Sequence, residues 1–163
     1  MRRMLFFGFE MFFIFKWRKF GLRLNTLFEM KITAIEPSQT WKIRHEVMWP
    51  DQPFEYVQLK EDNLGLHFGA FENEELVSIV SCFFSENEMQ FRKLATLEKY
   101  QGKGIASKLL QHVFALAKQR DITKIWCNAR ANKKSFYEKF GMIDTQKTFS
   151  KEGQEFTIME ILL

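Results

Sequence analysis

Cysteine and proline are scarce in this sequence of 163 residues, and each shortage excludes a class of protein. The two cysteines, Cys82 and Cys127, lie 45 residues apart inside apolar runs. That spacing matches no zinc motif, so we expect buried thiols and no metal. Reduced thiols are typical of a cytoplasmic protein. The chain has three prolines and no Pro/Gly-rich linker after Met30, so its length predicts one domain there.

An excess of one charge is missing from most of the chain. The formal net charge of +4 comes from residues 1–29, which hold six Lys or Arg and two Asp or Glu. Residues 30–163 hold eighteen of each sign and are therefore neutral. A neutral domain gives no support for binding to a phosphate backbone, so we expect no nucleic-acid partner.

The sequence also lacks an apolar run long enough to span a bilayer as a helix. Residues 1–29 contain eight of the nineteen phenylalanines, but Glu10 interrupts the apolar run and Lys16 ends it. No small-residue cleavage site follows, which argues against a secretory signal. Two interpretations stay open: a helix on a membrane surface, or an extension outside the native protein with Met30 as the start. We favour the second, so we expect an extension over 1–29 and one domain over 30–163.

Hydrophobic periodicity after Met30 predicts a mixed α/β domain. Alternating or β-branched runs predict strands at 31–35, 64–71, 76–84, 89–97, 122–129 and 156–163. Apolar residues three or four positions apart predict a helix at 105–117. Further helices are predicted at 38–49, with Ser38 as the cap and Pro50 at its end, and at 132–141, with Gly141 as the C-cap. Short turns predict an antiparallel meander between 64 and 97. The strand-helix-strand order that follows predicts a parallel pair.

Gly102 and Gly104 lie where a predicted strand gives way to a predicted helix, and bare backbone there favours an anion site. Glycine adopts positive φ angles and lets a ligand approach the chain closely. The first helical turn leaves N–H groups unpaired, and Lys103 adds positive charge. The spacing matches neither the nucleotide phosphate loop nor the dinucleotide motif, whose last glycine is Ser107 here. From spacing alone, a phosphate site and a plain turn are equally supported.

A resemblance to a known family distinguishes between the phosphate site and the plain turn. The stretch LATLEKYQGKGIASKLL resembles the acyl-CoA-binding motif of the GCN5-related N-acetyltransferase (GNAT) family, with Gln101, Gly104 and Ala106 at its defining positions. NARANKKSFYEKFGM is similar to that family's closing helix, and IRHEVMWPDQ is similar to the start of its ElaA-like subgroup. The resemblance covers residues 31–163. It implies a mixed, mostly antiparallel sheet with helices on both faces and one parallel strand pair that splays apart.

The same resemblance implies acetyl-CoA as the acyl donor and assigns residues to it. Backbone groups at 95–97 would bind the pantetheine arm, and N–H groups at 101–106 would bind the pyrophosphate. Asn132 matches a position that often contacts the coenzyme. The implied coenzyme-binding residues are Ala95, Thr96, Leu97, Gln101, Gly102, Lys103, Gly104, Ile105, Ala106 and Asn132.

Two residues are assigned to catalysis. Tyr137 matches the family position whose hydroxyl protonates the leaving thiolate. A phenol has an ordinary pKa near 10, which is close enough to the ~8.5 of a thiol for this proton transfer to be efficient. By residue type alone, Tyr137 would only pack against neighbouring aromatic rings. Glu46 is the candidate general base or a wall of the acceptor pocket beside Arg44 and Trp49. The alternatives for the base are His45, His67, Glu88 and an ordered water.

These observations predict an N-acyltransferase that moves an acetyl group from acetyl-CoA to a primary amine in a ternary complex. The amine belongs to a small molecule or a peptide, and membrane contact is expected only through residues 1–29, if at all. Oligomeric state stays open, with a homodimer as one alternative. The alternative function is an acyl-CoA sensor that binds the coenzyme without turnover.

Overall fold

A sheet of seven strands forms the centre of the structure, a computed structural model that describes residues 30–163. The predicted extension over 1–29 lies outside the described residues. The strands are β1 (Lys31–Ile35), β2 (Leu66–Glu72), β3 (Glu75–Ser85), β4 (Glu88–Thr96), β5 (Lys124–Arg130), β6 (Ile143–Lys151) and β7 (Gln154–Leu162). The helices are α1 (Pro37–Met48), α2 (Ile105–Gln119) and α3 (Lys134–Glu138).

The strand order is β1-β2-β3-β4-β5-β7-β6, and every neighbouring pair is antiparallel except β4 with β5. The meander from β2 to β4 and the parallel pair around α2 are therefore confirmed. Each predicted strand lies within a few residues of an observed one, because long apolar or alternating runs mark buried strands clearly.

The two long helices pack on opposite faces of the sheet. On β2, the ring of Phe68 lies 4.8 Å from that of His112 on α2. The adjacent residue, His67, bonds to Ser81, which also accepts a hydrogen bond from Arg44 on α1. Because successive side chains of a strand point to opposite faces, α1 and α2 cover different sides. The predicted mixed sheet with helices on both faces is confirmed.

Two local predictions need correction. Ser38 does not cap α1: Glu36 is the N-cap and its N–H donates to the side chain of Gln39 at 2.8 Å, in a capping box. Pro37 occupies the start of the helix, where its missing N–H has no consequence. The third helix is also shorter than predicted, because residues 131–133 form a 3₁₀ turn before α3.

The sequence pattern does not predict β6. This strand lies at the sheet edge and its sequence, IDTQKTFSK, is mostly exposed, so no apolar alternation is required. A shift in its pairing with β7 between Asp144 and Thr148, where Gln146 has a φ of 63°, further breaks the period. The turn to β7 has positive φ at both Glu152 and Gly153, as tight hairpin turns require.

A buried ion pair fixes the long connection between α1 and β2. The guanidinium of Arg44, with no exposed surface, donates to both carboxylate oxygens of Asp62 at 2.8 and 2.9 Å. Arg44 also donates to the carbonyl of Val57 at 3.0 Å and to Ser81 on β3 at 2.9 Å. Trp41 donates to Asp62 at 3.0 Å. These bonds hold the connection against α1 and the sheet.

We predict that Asp62→Asn strongly destabilises the fold. The change keeps the size of the side chain but leaves the Arg44 charge buried without a counter-ion, which typically costs about 3–5 kcal/mol. The free energy of unfolding, measured by denaturant titration, should fall by that amount. Glu88→Gln is the matched control, because its partner Lys124 lies at the surface, where an ion pair contributes under about 1 kcal/mol.

The same pair has a predicted pH dependence. Burial raises the pKa of Asp62, but bonds from Arg44 and Trp41 outweigh burial and hold that pKa below its usual value. The ionised carboxylate therefore stabilises the fold above about pH 4 and loses this effect as pH falls through its lowered pKa. The difference between wild type and Asp62→Asn should shrink in that acid range. A difference that does not change with pH, or an equal loss in Glu88→Gln, would contradict this account.

Candidate functional site

β4 and β5 separate part way along their length and open a cleft. Their parallel pairing covers three residue pairs, from Glu88 with Lys124 to Gln90 with Trp126. β4 nevertheless continues to Thr96, and β5 continues to Arg130. Beyond Gln90, the edge of β4 that faces β5 is therefore unpaired within the sheet. The splayed pair expected from the family resemblance is present.

A β-bulge lies in β4 where the two strands part. On its other edge, the pairing with β3 shifts from Ile79–Ala95 to Ser81–Arg92, so Lys93 and Leu94 form the bulge. Lys93 has a φ of 56°, which is rare for a residue with a side chain. Bulges bend a strand and increase its twist. The bulge therefore turns β4 away from β5 while β4 stays paired with β3.

The cleft has a volume of about 1080 Å³, at the upper end of the ~300–1,000 Å³ typical of small-molecule sites. Its walls come from the separated strands, the start of α2, α3, the end of α1 and the β6–β7 hairpin. The cleft is therefore built where elements from both halves of the chain meet.

The loop before α2 presents a row of unpaired amides to the cleft. Gly102 and Gly104 have φ angles of 74° and 78°, and Gly104 is the N-cap of α2 without any side-chain cap. Among the described residues, none accepts a hydrogen bond from the backbone N–H groups of residues 102–107. An added Cβ at either glycine would meet nothing within 4 Å, so the positive φ, not crowding within the protein, requires glycine. We call residues 102–107 the amide loop.

Gln101 ties the amide loop to the end of β4. Its side-chain amide donates to the carbonyl of Thr96 at 3.0 Å, and its own N–H donates to the carbonyl of Glu98 at 3.0 Å. These bonds close a tight turn between β4 and α2. The glutamine of the motif therefore positions the loop as well as lining the cleft.

Most of the predicted coenzyme-binding residues line one cleft, but two do not. The lining includes Ala95, Thr96, Gln101, Gly102, Gly104, Ile105, Ala106 and Asn132. Leu97 is buried, its N–H donates to Val77, and its carbonyl accepts from Tyr100, so both backbone groups are already engaged. Lys103 does not line the cleft, and its ammonium lies 4.7 Å from the centre of the Tyr100 ring. Leu97 therefore has both backbone groups bonded within the protein, and Lys103 offers its backbone N–H.

Tyr137 of α3 both lines the cleft and packs in the core. Its ring lies 5.0 Å from Phe136 and 5.9 Å from Phe91, between ring centres. Burial, with a smaller effect of nearby Cys127, raises the pKa of its hydroxyl, whereas the charge of Arg130 lowers it. The phenol is therefore protonated at neutral pH, as a proton donor must be. The packing and the catalytic interpretations of Tyr137 are compatible.

The predicted bases do not line the cleft. Glu46 lies beside Glu98 and Lys99 in a separate depression. His45 bonds to the carbonyl of Gln52 at 2.7 Å, buried His67 bonds to Ser81 and to the carbonyl of Asp62, and Glu88 pairs with Lys124. The structure thus places Glu46 outside the cleft that Tyr137 lines, and we give it no role in the chemistry below.

The cysteine in the cleft is not a competent nucleophile. Cys127 is 2% exposed, and burial raises its pKa well above the usual range, so the reactive thiolate is disfavoured. Cys82 is fully buried, and burial raises its pKa to about 12. Both thiols behave as the buried apolar residues that the sequence predicts.

One end of the cleft is formed by a cluster that sequence reasoning located only in part. Trp49, from the end of α1, lies 5.6 Å from Tyr56 between ring centres, and the Tyr56 hydroxyl donates to Glu152 of the β6–β7 turn. The ammonium of Lys93 lies 4.0 Å from the centre of the Trp49 ring. Trp49, Lys93, Glu152 and Lys151 line the cleft, and we call these four residues the Trp49 cluster. Glu152 and Lys151 were missed because β6 carries no strand signal.

Asn128 and Arg130 also line the cleft and were not singled out from the sequence. They lie on one side of β5, whose alternate residues Ile125, Cys127 and Ala129 are buried. Polar residues at alternate positions of an otherwise apolar strand are a signal that would have identified them.

Within residues 30–163, no group of three or more His, Cys, Asp or Glu side chains is placed to hold a metal ion. No helix in this part of the chain has the length and apolar character needed to cross a membrane.

Comparison with known proteins gives consistent matches. Residues 35–163 match the family model of the acetyltransferase (GNAT) domain. YitI of Bacillus subtilis, an uncharacterized N-acetyltransferase, is 29% identical over 133 residues, covering 76% of this chain and 89% of YitI. A GNAT family acetyltransferase of Elizabethkingia anophelis with acetyl-CoA bound has a TM-score of 0.67 at 16% identity, covering 82% of this chain and 98% of that one. Escherichia coli ElaA has a TM-score of 0.66 at 16% identity, covering 80% and 99%. At these identities the two structures show a shared fold alone.

We predict that Gly104→Ala weakens coenzyme A binding more than tenfold. A side chain at φ 78° either strains the loop by about 1–3 kcal/mol or turns its amides away from the ligand, and its Cβ occupies open space next to them. Affinity is measured by calorimetry, and stability by denaturant titration.

Gly153→Ala is the matched control, because Gly153 has a φ of 73° and equally open surroundings but lies in the β6–β7 turn. Both variants should lose similar stability, and only Gly104→Ala should lose coenzyme affinity. Equal affinity in the two variants would show that the amide loop is not the phosphate site.

Proposed function

The chain belongs to the GNAT family and is an acetyl-CoA-dependent N-acetyltransferase, and from this premise we propose that it transfers the acetyl group directly to a primary amine in a ternary complex. The family resemblance carried by the sequence is thereby confirmed. The observation that supports the proposal most is the amide loop opening into a cleft between splayed strands.

In this proposal the amide loop holds the pyrophosphate of acetyl-CoA. A helix N-terminus with unpaired N–H groups is an anion site, because the amides donate and the helix dipole favours negative charge. The edge of β4 that β5 leaves unpaired, at Ala95 and Thr96, binds the pantetheine arm as a further strand would, although both carbonyls already accept one side-chain hydrogen bond, from Ser78 and from Gln101. Asn132 contacts the coenzyme from the other side of the cleft. The thioester then lies between the separated strands.

The acetyl transfer needs one new bond and one broken bond. The neutral amine attacks the thioester carbonyl carbon, the carbon–sulfur bond breaks, and the thiolate takes a proton from the Tyr137 hydroxyl. The amine nitrogen loses a proton to water, and water restores the Tyr137 phenol. Glu152 is a weak base for this purpose, because the hydrogen bond from Tyr56 holds its pKa below the usual value.

A direct transfer is favoured over an acyl-enzyme because the cleft lacks an activated cysteine. Cys127, which borders the cleft, is buried and its raised pKa keeps it protonated. An attack on the thioester by this thiol would first require its ionisation in an apolar environment, which is unfavourable.

Tyr137→Phe is predicted to lower kcat by about 10²–10⁴-fold, the usual contribution of general acid catalysis. The ring keeps its contacts with Phe136 and Phe91, so coenzyme affinity and folding should change little. The measurement is acetyl-CoA-dependent thiol release with a panel of amines. Tyr100→Phe is the matched control, because it also lines the cleft but its hydroxyl bonds to Glu75 at the surface. Equal rates in all three proteins would remove the acid role, and coenzyme binding without thiol release from any amine would favour a sensor.

Cys127→Ala is predicted to retain turnover, with a stability loss typical of a small core truncation. Initial rates at varied acetyl-CoA and amine should give intersecting lines in double-reciprocal plots, as a ternary complex requires. Parallel lines, together with an acetyl adduct on the intact protein that disappears in Cys127→Ala, would establish a covalent route instead.

A further inference from the structure

The charges that line the cleft are strongly unbalanced. Six basic side chains line it, from Arg92, Lys93, Arg130, Lys133, Lys139 and Lys151, against the single carboxylate of Glu152 among the described residues. The domain over 30–163 is neutral, so this excess is local to the cleft. A cleft lined by one sign of charge attracts ligands of the opposite sign.

Coenzyme phosphates at the amide loop do not account for the basic residues of the Trp49 cluster. Lys93 lies in the β-bulge and Lys151 at the end of β6, whereas the amide loop follows β4 and opens α2. Within residues 30–163, neither lysine forms an ion pair with a carboxylate. Of the nearby carboxylates, Asp62 is paired with Arg44. Glu152 accepts from Tyr56, and the charges of both lysines help to lower its pKa, so this one carboxylate stands against two ammonium groups.

Lys93 holds its positive charge in a partly buried position, and its neighbours fix where the ammonium group lies. The residue is half-buried at a positive φ, and its ammonium is held over the face of Trp49. Burial, together with the charges of Arg44, Lys151 and Arg92, lowers its pKa to about 8, and the charge of Asp62 opposes this shift. An anion placed between Lys93 and Lys151 would stabilise both charges.

We propose that the acceptor amine carries an anionic group, a carboxylate or a phosphate, which Lys93 and Lys151 bind beside Trp49. This inference rests on the proposed function and adds the chemical class of its acceptor. The anion holds one end of the acceptor in the Trp49 cluster, and its amine reaches toward the thioester. Amines with a second positive charge and no anion are rejected by repulsion from the two lysines.

The first test compares each anionic amine with the amine that lacks the anion. The pairs are phenylalanine with phenethylamine, lysine with cadaverine, and phosphoethanolamine with ethanolamine. We expect kcat/KM to be at least tenfold higher for the anionic member of at least one pair. The first two pairs report a carboxylate, and the third reports a phosphate. If phenethylamine, cadaverine and ethanolamine turned over with a kcat/KM equal to or higher than that of their anionic partners, the inference would be overturned. The proposed acetyltransferase function would still stand.

The second test removes the charge of Lys93. Lys93→Met keeps an unbranched side chain of similar length at the same positive φ and removes only the ammonium group. The variant therefore separates the effect of charge from the effect of packing. We expect KM for the anionic amine to rise about ten- to a hundredfold, KM for its partner amine to change little, and coenzyme A affinity to stay the same. Lys118→Met, an exposed residue of α2 outside the cleft, is the control and should change none of these values. An equal effect on both members of a pair would assign Lys93 a structural role only.

A binding measurement covers the case in which none of these amines turns over. 3-Phenylpropionate and phenyl phosphate carry the anion without an amine and are titrated by calorimetry into the protein saturated with coenzyme A. At least one should bind, and Lys93→Met should weaken its binding at least tenfold. No binding of either ligand, or equal binding to wild type and Lys93→Met, would overturn the inference, whereas loss of coenzyme A binding itself would overturn the proposed function.

Discussion

β4 cannot pair with both of its neighbours along its whole length, and the remaining features of the site depend on that constraint. The bulge at Lys93 shifts the register of β4 against β3 without ending that pairing, whereas the pairing with β5 ends after Gln90. The unpaired backbone would be a liability at an ordinary sheet edge, because its N–H and C=O groups would lack partners. Here the edge faces a cleft in which a ligand can supply them. Lys93 of the same bulge lines the cleft, so one irregularity shapes both the proposed donor end and the proposed acceptor end.

The two ends of the cleft are supported in different ways. The donor end depends on local geometry, since two glycines at positive φ and the first turn of α2 expose a row of amides without help from distant residues. The Trp49 cluster depends on long-range packing, because α1, β4 and the β6–β7 turn must meet there. The buried Arg44–Asp62 pair serves this assembly by holding the connection that carries Tyr56. Arg44 thus supports the proposed acceptor end indirectly, without lining it.

How far the sequence predicts the structure follows from this difference. The amide loop was predictable, because glycine spacing before an amphipathic helix is a local signal and a recognisable family motif. Glu46 lies outside the cleft because it follows Arg44 by two positions on α1, and residues so spaced point in nearly opposite directions on a helix. Arg44 faces the core, which leaves Glu46 outside. Lys93 carries no signal at all, since a positive φ at a lysine within a strand is set by the pairing of β3, not by the residue itself.

The central claim is that the unpaired amides of residues 102–107 bind a diphosphate. Amide NMR spectra recorded during titration with coenzyme A test it most directly, because each N–H reports its own hydrogen bonding. The account predicts that the resonances of residues 102–107 shift most, and that pantetheine, which lacks the diphosphate, leaves them unchanged while still shifting Ala95 and Thr96. The claim would be contradicted if coenzyme A shifted mainly resonances outside residues 102–107, or if pantetheine shifted residues 102–107 as much as coenzyme A does.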